Sequence, residues 1–215
     1  MTDADHRETP APVVGLVGGL ASGKSTVARL LAERGARVVD ADRIGHQMLE
    51  LPEVVEDVVQ AFGSDVLDDA GRVDRGRLAE RVFGDEQAVQ NLNAIIHPPI
   101  IRRAREQVAA LRMQPDVPLV VLDAPLLMET DLHRDMCQAL LFVDSSEELR
   151  RRRAMAERGM DAVQFDKRQR AQLPLDTKRQ RADYVVDNTG TLEELRSRIE
   201  RLWPDLCQLS TRVPG

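Results

Sequence analysis

The chain has 215 residues, 42% hydrophobic and 31% charged, with a formal net charge of −6. That length holds one sizeable α/β domain with room for a small insertion, and a core that needs no staples. The acidity argues against a nucleic-acid binder, which needs a basic face, and no apolar stretch approaches the length of a membrane span.

Met1 to Pro12 are polar, lack the apolar segment of a signal peptide and read as a frayed leader, so a cytoplasmic location is expected. Val13-Val14-Gly15-Leu16-Val17 predicts a buried strand, and Gly-Gly-Leu-Ala-Ser-Gly-Lys-Ser follows it at 18–25. This fits G-x-x-x-x-G-K-[ST], the phosphate-binding P-loop. Ser25 to Arg34 then predicts a helix with Val27, Leu30 and Leu31 on one face and Gly35 as its stop. Strand, glycine-rich turn and helix N-terminus together let main-chain N–H groups and the helix dipole converge on an anion. Lys24 adds charge near the β/γ-phosphates, and the Ser25 hydroxyl is a ligand for Mg²⁺. The segment is therefore expected to bind a nucleoside triphosphate.

Ala36 to Asp40 predicts a second strand, which ends in Asp40-Ala41-Asp42. Ligands of open α/β sheets gather at this carboxyl edge, and a kinase acting on an alcohol needs a group to orient the hydroxyl and accept its proton. Asp42 is expected in that role and also as the N-cap of a helix starting at Arg43, with Asp40 structural or metal-supporting. The span from 43 to about 112 is too long for one crossover helix. It predicts a helical insertion beside the phosphate site, with turns near Phe62-Gly63, Ala70-Gly71 and Gly84-Asp85. Within it, Arg75 is a surface pair or a contact to a phosphorylated substrate, and His97 a substrate contact or a packed core residue. Pro98 to Leu111 predicts a helix with the Pro98-Pro99 pair at its start.

Pro118 to Asp123, Ala139 to Val143 and Tyr184 to Val186 read as three further buried strands. Asp123 ends the first of these, where P-loop proteins often place a carboxylate near Mg²⁺; the other reading is a strand-end turn. Arg150 to Arg153 and Arg158 form a basic stretch. Most of it reads as a solvated helix face, with one or two arginines, and Arg168, as candidates to stabilise phosphoryl-transfer charge from a lid. Cys137 and Cys207 lie far apart without metal spacing and are expected as thiols. Thr191 with Glu194 is a capping-box pair opening a last helix, and Cys207 to Gly215 reads as a loose tail. Strands alternating with helices predict a five-stranded parallel sheet covered on both faces.

Several segments together resemble the dephospho-coenzyme A kinase family: the P-loop with Val38-Val39-Asp40-Ala41-Asp42, Leu92 to Pro98, Asp123 to Glu129, Gln172 to Arg179, and Arg181 to Gly190. The resemblance runs from about Val13 to Trp203 with the motifs in the family's order. It implies a P-loop fold of the nucleoside-monophosphate-kinase kind: one domain over 13–205, a coenzyme A-binding insertion, a lid over about 145–180, and flexible tails at 1–12 and 207–215. It further implies ATP and Mg²⁺, with transfer of the γ-phosphoryl group to the ribose 3′-hydroxyl of dephospho-coenzyme A. On this resemblance Gly18, Gly19, Leu20, Ala21, Ser22, Gly23, Lys24, Ser25 and Thr26 hold ATP. Asn188 approaches its adenine, Asp42 activates the hydroxyl, and Arg158 is the catalytic lid residue. The chain departs from the pattern at Ala21, where glycine is more usual, at Met128, where an aromatic is, and in a lid turn at 157–161 one residue short. A monomer or small homo-oligomer is expected. A shikimate-type kinase and a GTP-dependent switch are the alternatives; the second would need an Asn-Lys-x-Asp-type strand end, and Asp187-Asn188-Thr189-Gly190 stands there instead.

Overall fold

The computed structural model describes residues 9–124, 127–129 and 135–210, with Arg158 given by its backbone alone. The tail residues 1–8 and 211–215, and the Pro125-Leu126 pair of the family motif, lie outside the described residues. The chain divides into two compact units, Asp40–Glu106 and the segments on either side of it.

The larger unit is built on a five-stranded sheet of order β2-β3-β1-β4-β5. Its strands are β1 (Val13–Gly18), β2 (Arg37–Asp40), β3 (Val120–Asp123), β4 (Ala139–Asp144) and β5 (Tyr184–Asp187). β1 pairs in parallel with β3 and with β4, and β4 with β5. All of β1 is buried, because a parallel sheet covered on both faces selects continuous apolar runs over alternating ones. The connection after β1 runs to one side of the sheet, to β2, and that after its neighbour β4 to the other, to β5, so the carboxyl end of β1 lies at the topological switch point, where open α/β sheets bind ligands.

Helix α1 (Lys24–Glu33) buries Val27, Ala28, Leu30 and Leu31, and ends before Gly35, whose φ of +102° is the left-handed conformation that stops helices at glycine. These residues join Leu16, Leu141, Val143 and the buried face of the C-terminal helix, Leu195, Ile199 and Leu206, in one core. The expected capping box is present: Thr191 accepts from the Glu194 backbone while the Glu194 side chain accepts from the Thr191 N–H. Ala11 is buried and donates to the Arg112 carbonyl, and Leu209 packs on the core. Cys137 is a buried thiol pushed up to about 12 by burial, and is correspondingly unreactive.

In the smaller unit, α2 (Ala41–Met48), α3 (Pro52–Phe62) and α4 (Arg75–Val82) pack with the first part of α5 (Glu86–Arg112) around Val54, Val58, Phe62, Val66, Leu78 and Ala88. The cap of α2 corrects an expectation: Asp40, not Asp42, accepts from the Arg43 N–H, and Asp42 lies in the first helical turn. The helix thus begins directly as the strand ends, two residues earlier than expected. Pro98 and Pro99 likewise stand inside α5 and do not start it. Each proline costs an internal helix about 3 kcal/mol. Here one apolar face (Ala88, Leu92, Ile95, Ile96) keeps packing onto the unit's core and outweighs the lost hydrogen bonds.

Candidate active site

The P-loop leaves β1 at Gly18 and enters α1 at Lys24. Gly23 forms the N-cap at φ +92°, ψ +25° and offers no side-chain cap, and the first turn of α1 carries no acidic residue. Its N–H groups and the positive end of the helix dipole are therefore left for an external anion. Gly23 is held there twice over: its φ favours glycine, and an added Cβ would lie 2.2 Å from the Asn188 amide nitrogen. Lys24 Nζ spans the loop, donating to the Gly19 carbonyl at 3.3 Å and the Gly18 carbonyl at 3.5 Å. Ser25 is exposed at the mouth of the turn, and the Ser22 hydroxyl is buried without a partner.

Ala21 adopts φ +56°, alone among the described non-glycine residues in being positive. An L-residue pays about 1–2 kcal/mol in this left-handed region, which glycine enters freely. Ala21→Gly is expected to be neutral to stabilising by about 1 kcal/mol, the relieved strain being partly offset by glycine's unfolded-state entropy. Urea denaturation checks this.

One helix of the basic stretch wraps the outer side of the loop. Helix α6 (Glu147–Arg158) and helix α7 (Ala162–Arg170) pack Ala154 and Phe165 onto Leu20 and Ala21. The basic run is not mainly a solvated face: of the four arginines 150–153 only Arg152 is exposed. Arg150 is 2% exposed. Its guanidinium donates to Gln169 Oε1 at 2.6 Å and to the Ser145 carbonyl at 3.4 Å, and lies 5.7 Å from the Phe165 ring centre. Arg151 pairs with Glu147 and Asp166. The sequence pattern did not single out Arg150; a signal was available in its i, i+3 spacing to Arg153 around Ala154, which puts these residues on one face. The Arg158 side chain, expected to be catalytic, lies outside the described residues.

Asn188 is buried, and its amide donates to the Ser22 carbonyl at 2.8 Å, so it touches the nucleotide loop itself. Asp123 ends β3 in register with Leu16 of β1, which leads into the loop. Arg75 is exposed at the start of α4 and His97 half-buried in α5, both in the smaller unit with Asp42. Burial holds the His97 imidazole below its ordinary pKa, so it is neutral at pH 7.

A buried ion pair ties the end of the sheet to the segment after α7. Glu129 accepts from Lys178 Nζ at 2.8 Å and from the Leu173 N–H at 3.0 Å. Burial pushes the Glu129 carboxyl up, but the lysine and the backbone donor outweigh it and hold its pKa below 4.5. The stabilisation is thus complete above pH 4.5 and is lost as pH falls through the lowered value. Lys178→Met would strand the carboxylate, costing about 3–5 kcal/mol near neutral pH, and because protonating Glu129 relieves that cost, the Tm deficit relative to the wild type should narrow as pH falls. Thermal melts between neutral and acid pH measure both effects.

Sheet, switch-point loop and helix N-terminus define an α/β P-loop kinase fold. The family model described as dephospho-CoA kinase matches residues 12–194. Curated relatives named dephospho-CoA kinase include one from Thermobifida fusca, 42% identical over 90% of this chain and 95% of that protein, and one from Corynebacterium diphtheriae, 40% identical over 89% and 95%. The crystal structure of TT1252 from Thermus thermophilus superposes with a TM-score of 0.77 at 35% identity, covering 93% of this chain and 99% of that one. The chain belongs to the dephospho-CoA kinase family.

Proposed function

We propose that the chain transfers the γ-phosphoryl group of ATP to the ribose 3′-hydroxyl of dephospho-CoA, the last step in making coenzyme A. The observation that carries this is the uncapped, acid-free start of α1 behind a loop spanned by Lys24, in a chain that matches the family over 12–194.

In this reading the main-chain N–H groups from Gly19 to Thr26 cradle the β- and γ-phosphates. Lys24 exchanges its carbonyl partners for phosphate oxygens as charge builds in the transition state. Asp42 orients the 3′-hydroxyl and accepts its proton as the 3′-oxygen bonds to the γ-phosphorus. The bond from that phosphorus to the bridging oxygen breaks, and ADP leaves. Arg75 and His97 are candidate contacts to dephospho-CoA, and Arg158 a candidate lid contact. For Mg²⁺, no cluster of three or more His, Cys, Asp or Glu side chains exists among the described residues. That suits an ion that keeps several waters and binds one or two protein groups plus nucleotide phosphates. Ser25 and Asp123 would hold it, and when bound it neutralises phosphate charge.

No described helix is long and apolar enough to cross a membrane. A coupled ADP-release assay with dephospho-CoA beside shikimate tests the acceptor. Turnover with dephospho-CoA alone is expected, whereas turnover with shikimate alone would overturn the assignment.

A further inference from the structure

The geometry points to Arg153 as a positioning residue that fixes the P-loop in its nucleotide-binding conformation before ATP arrives, acting with Ser145 through the Ser22 carbonyl. The inference rests on the loop binding ATP, and not on the identity of the phosphate acceptor.

Three donors from three elements converge on the Ser22 carbonyl. The Ser145 hydroxyl at the end of β4 donates at 3.0 Å, Asn188 after β5 at 2.8 Å, and Arg153 Nη1 of α6 at 3.3 Å. Arg153 Nη2 also donates to the Asn188 carbonyl at 3.2 Å, and Ser145 Oγ lies 3.4 Å from both that carbonyl and Arg153 Nη1. A carbonyl with three donors, one of them cationic, is strongly fixed in direction. Ser22 directly precedes Gly23, the N-cap of α1. Fixing its carbonyl therefore fixes the peptide plane that carries the Gly23 N–H, at the turn that opens the helix. One turn earlier on the same helix, Arg150 backs the other end of the loop: a Cβ on Gly19 would lie 2.8 Å from its Nη1. Helix α6 thus braces both ends of the segment between Gly19 and Ser22. Through its bonds to the Ser22 and Asn188 carbonyls, the effect of Arg153 on phosphate reaches the nucleotide by way of the loop.

A brace of this kind lowers the ordering cost of binding, as preorganisation does in general. Its loss weakens ATP binding but leaves the bound complex competent, because phosphate reorders the loop. ATP binding by isothermal titration, with no acceptor present, reads this directly. Arg153→Gln is expected to raise the Kd for ATP about tenfold, the size of one charge-assisted hydrogen bond. Arg153→Lys, which can reach only one of the two carbonyls, should fall between. Ser145→Ala should shift Kd in the same direction by about three- to fivefold, and it keeps the test open if Arg153→Gln does not fold. With dephospho-CoA as acceptor, KM for ATP should rise in parallel, with kcat at saturating ATP and KM for dephospho-CoA nearly unchanged. A fall in kcat of about a hundredfold at unchanged Kd would make Arg153 a direct transition-state contact and overturn the proposal. So would a lower Tm and lower active fraction with Kd and KM unaltered in both variants. Failure of wild-type turnover with dephospho-CoA would sink the acceptor assignment, while the titration would still decide the role of Arg153.

Discussion

Asp42→Asn is expected to lower kcat with dephospho-CoA by about 10²–10⁴-fold, the contribution of a positioned general base, while the Kd for ATP stays within about twofold of wild type, well under the tenfold that 1.4 kcal/mol represents. Asparagine keeps the size and the hydrogen-bonding oxygen but cannot take the proton. The neighbouring carboxylate supplies the control. Asp40 caps α2 through the Arg43 N–H, so Asp40→Ala should cost about 1 kcal/mol of stability and leave the chemical step nearly intact. Steady-state kinetics with a denaturation curve on each variant separate the two. Near-full turnover in Asp42→Asn would remove Asp42 from the mechanism.

The second large effect is at Lys24. Lys24→Ala is expected to reduce kcat/KM by about 10²–10³-fold, roughly 3–4 kcal/mol of transition-state stabilisation. Two losses combine. The positive charge facing the developing equatorial oxygens disappears, and so does the strut that joins the Gly18 and Gly19 carbonyls to the start of α1. Lys24→Arg separates them. It restores charge, but a planar guanidinium does not reproduce a compact ammonium, so activity should recover only in part. ATP binding and turnover measured on both variants check the ordering.

The strands and the P-loop were legible because their signals are local. Five short apolar runs and a glycine-lysine-serine turn need no knowledge of partners. The Thr191–Glu194 capping box is a local signal of the same sort. Elsewhere a tertiary partner decided the outcome. Pro98 and Pro99 carry the composition of a helix start, and only the continuous apolar face N-terminal to them explains why α5 runs through. Asp40 and Asp42 are both good caps by type; the strand-to-helix bend that selects Asp40 is a property of the backbone path. Four consecutive arginines read as a wet surface, because a charge run usually is one. The burial of Arg150 and the partial burial of Arg151 and Arg153 depend on Phe165 and Gln169, which lie on a different helix, and on a carbonyl of the P-loop. For Asn188, its place after the last strand was visible in sequence, while its grip on the Ser22 carbonyl was not.

The most direct measurement is phosphorus NMR of wild-type protein with ATP, Mg²⁺ and dephospho-CoA. One new phosphomonoester signal, on the ribose 3′-oxygen, is expected to grow in step with ADP. ADP accompanied by inorganic phosphate, or no ADP at all, would contradict it.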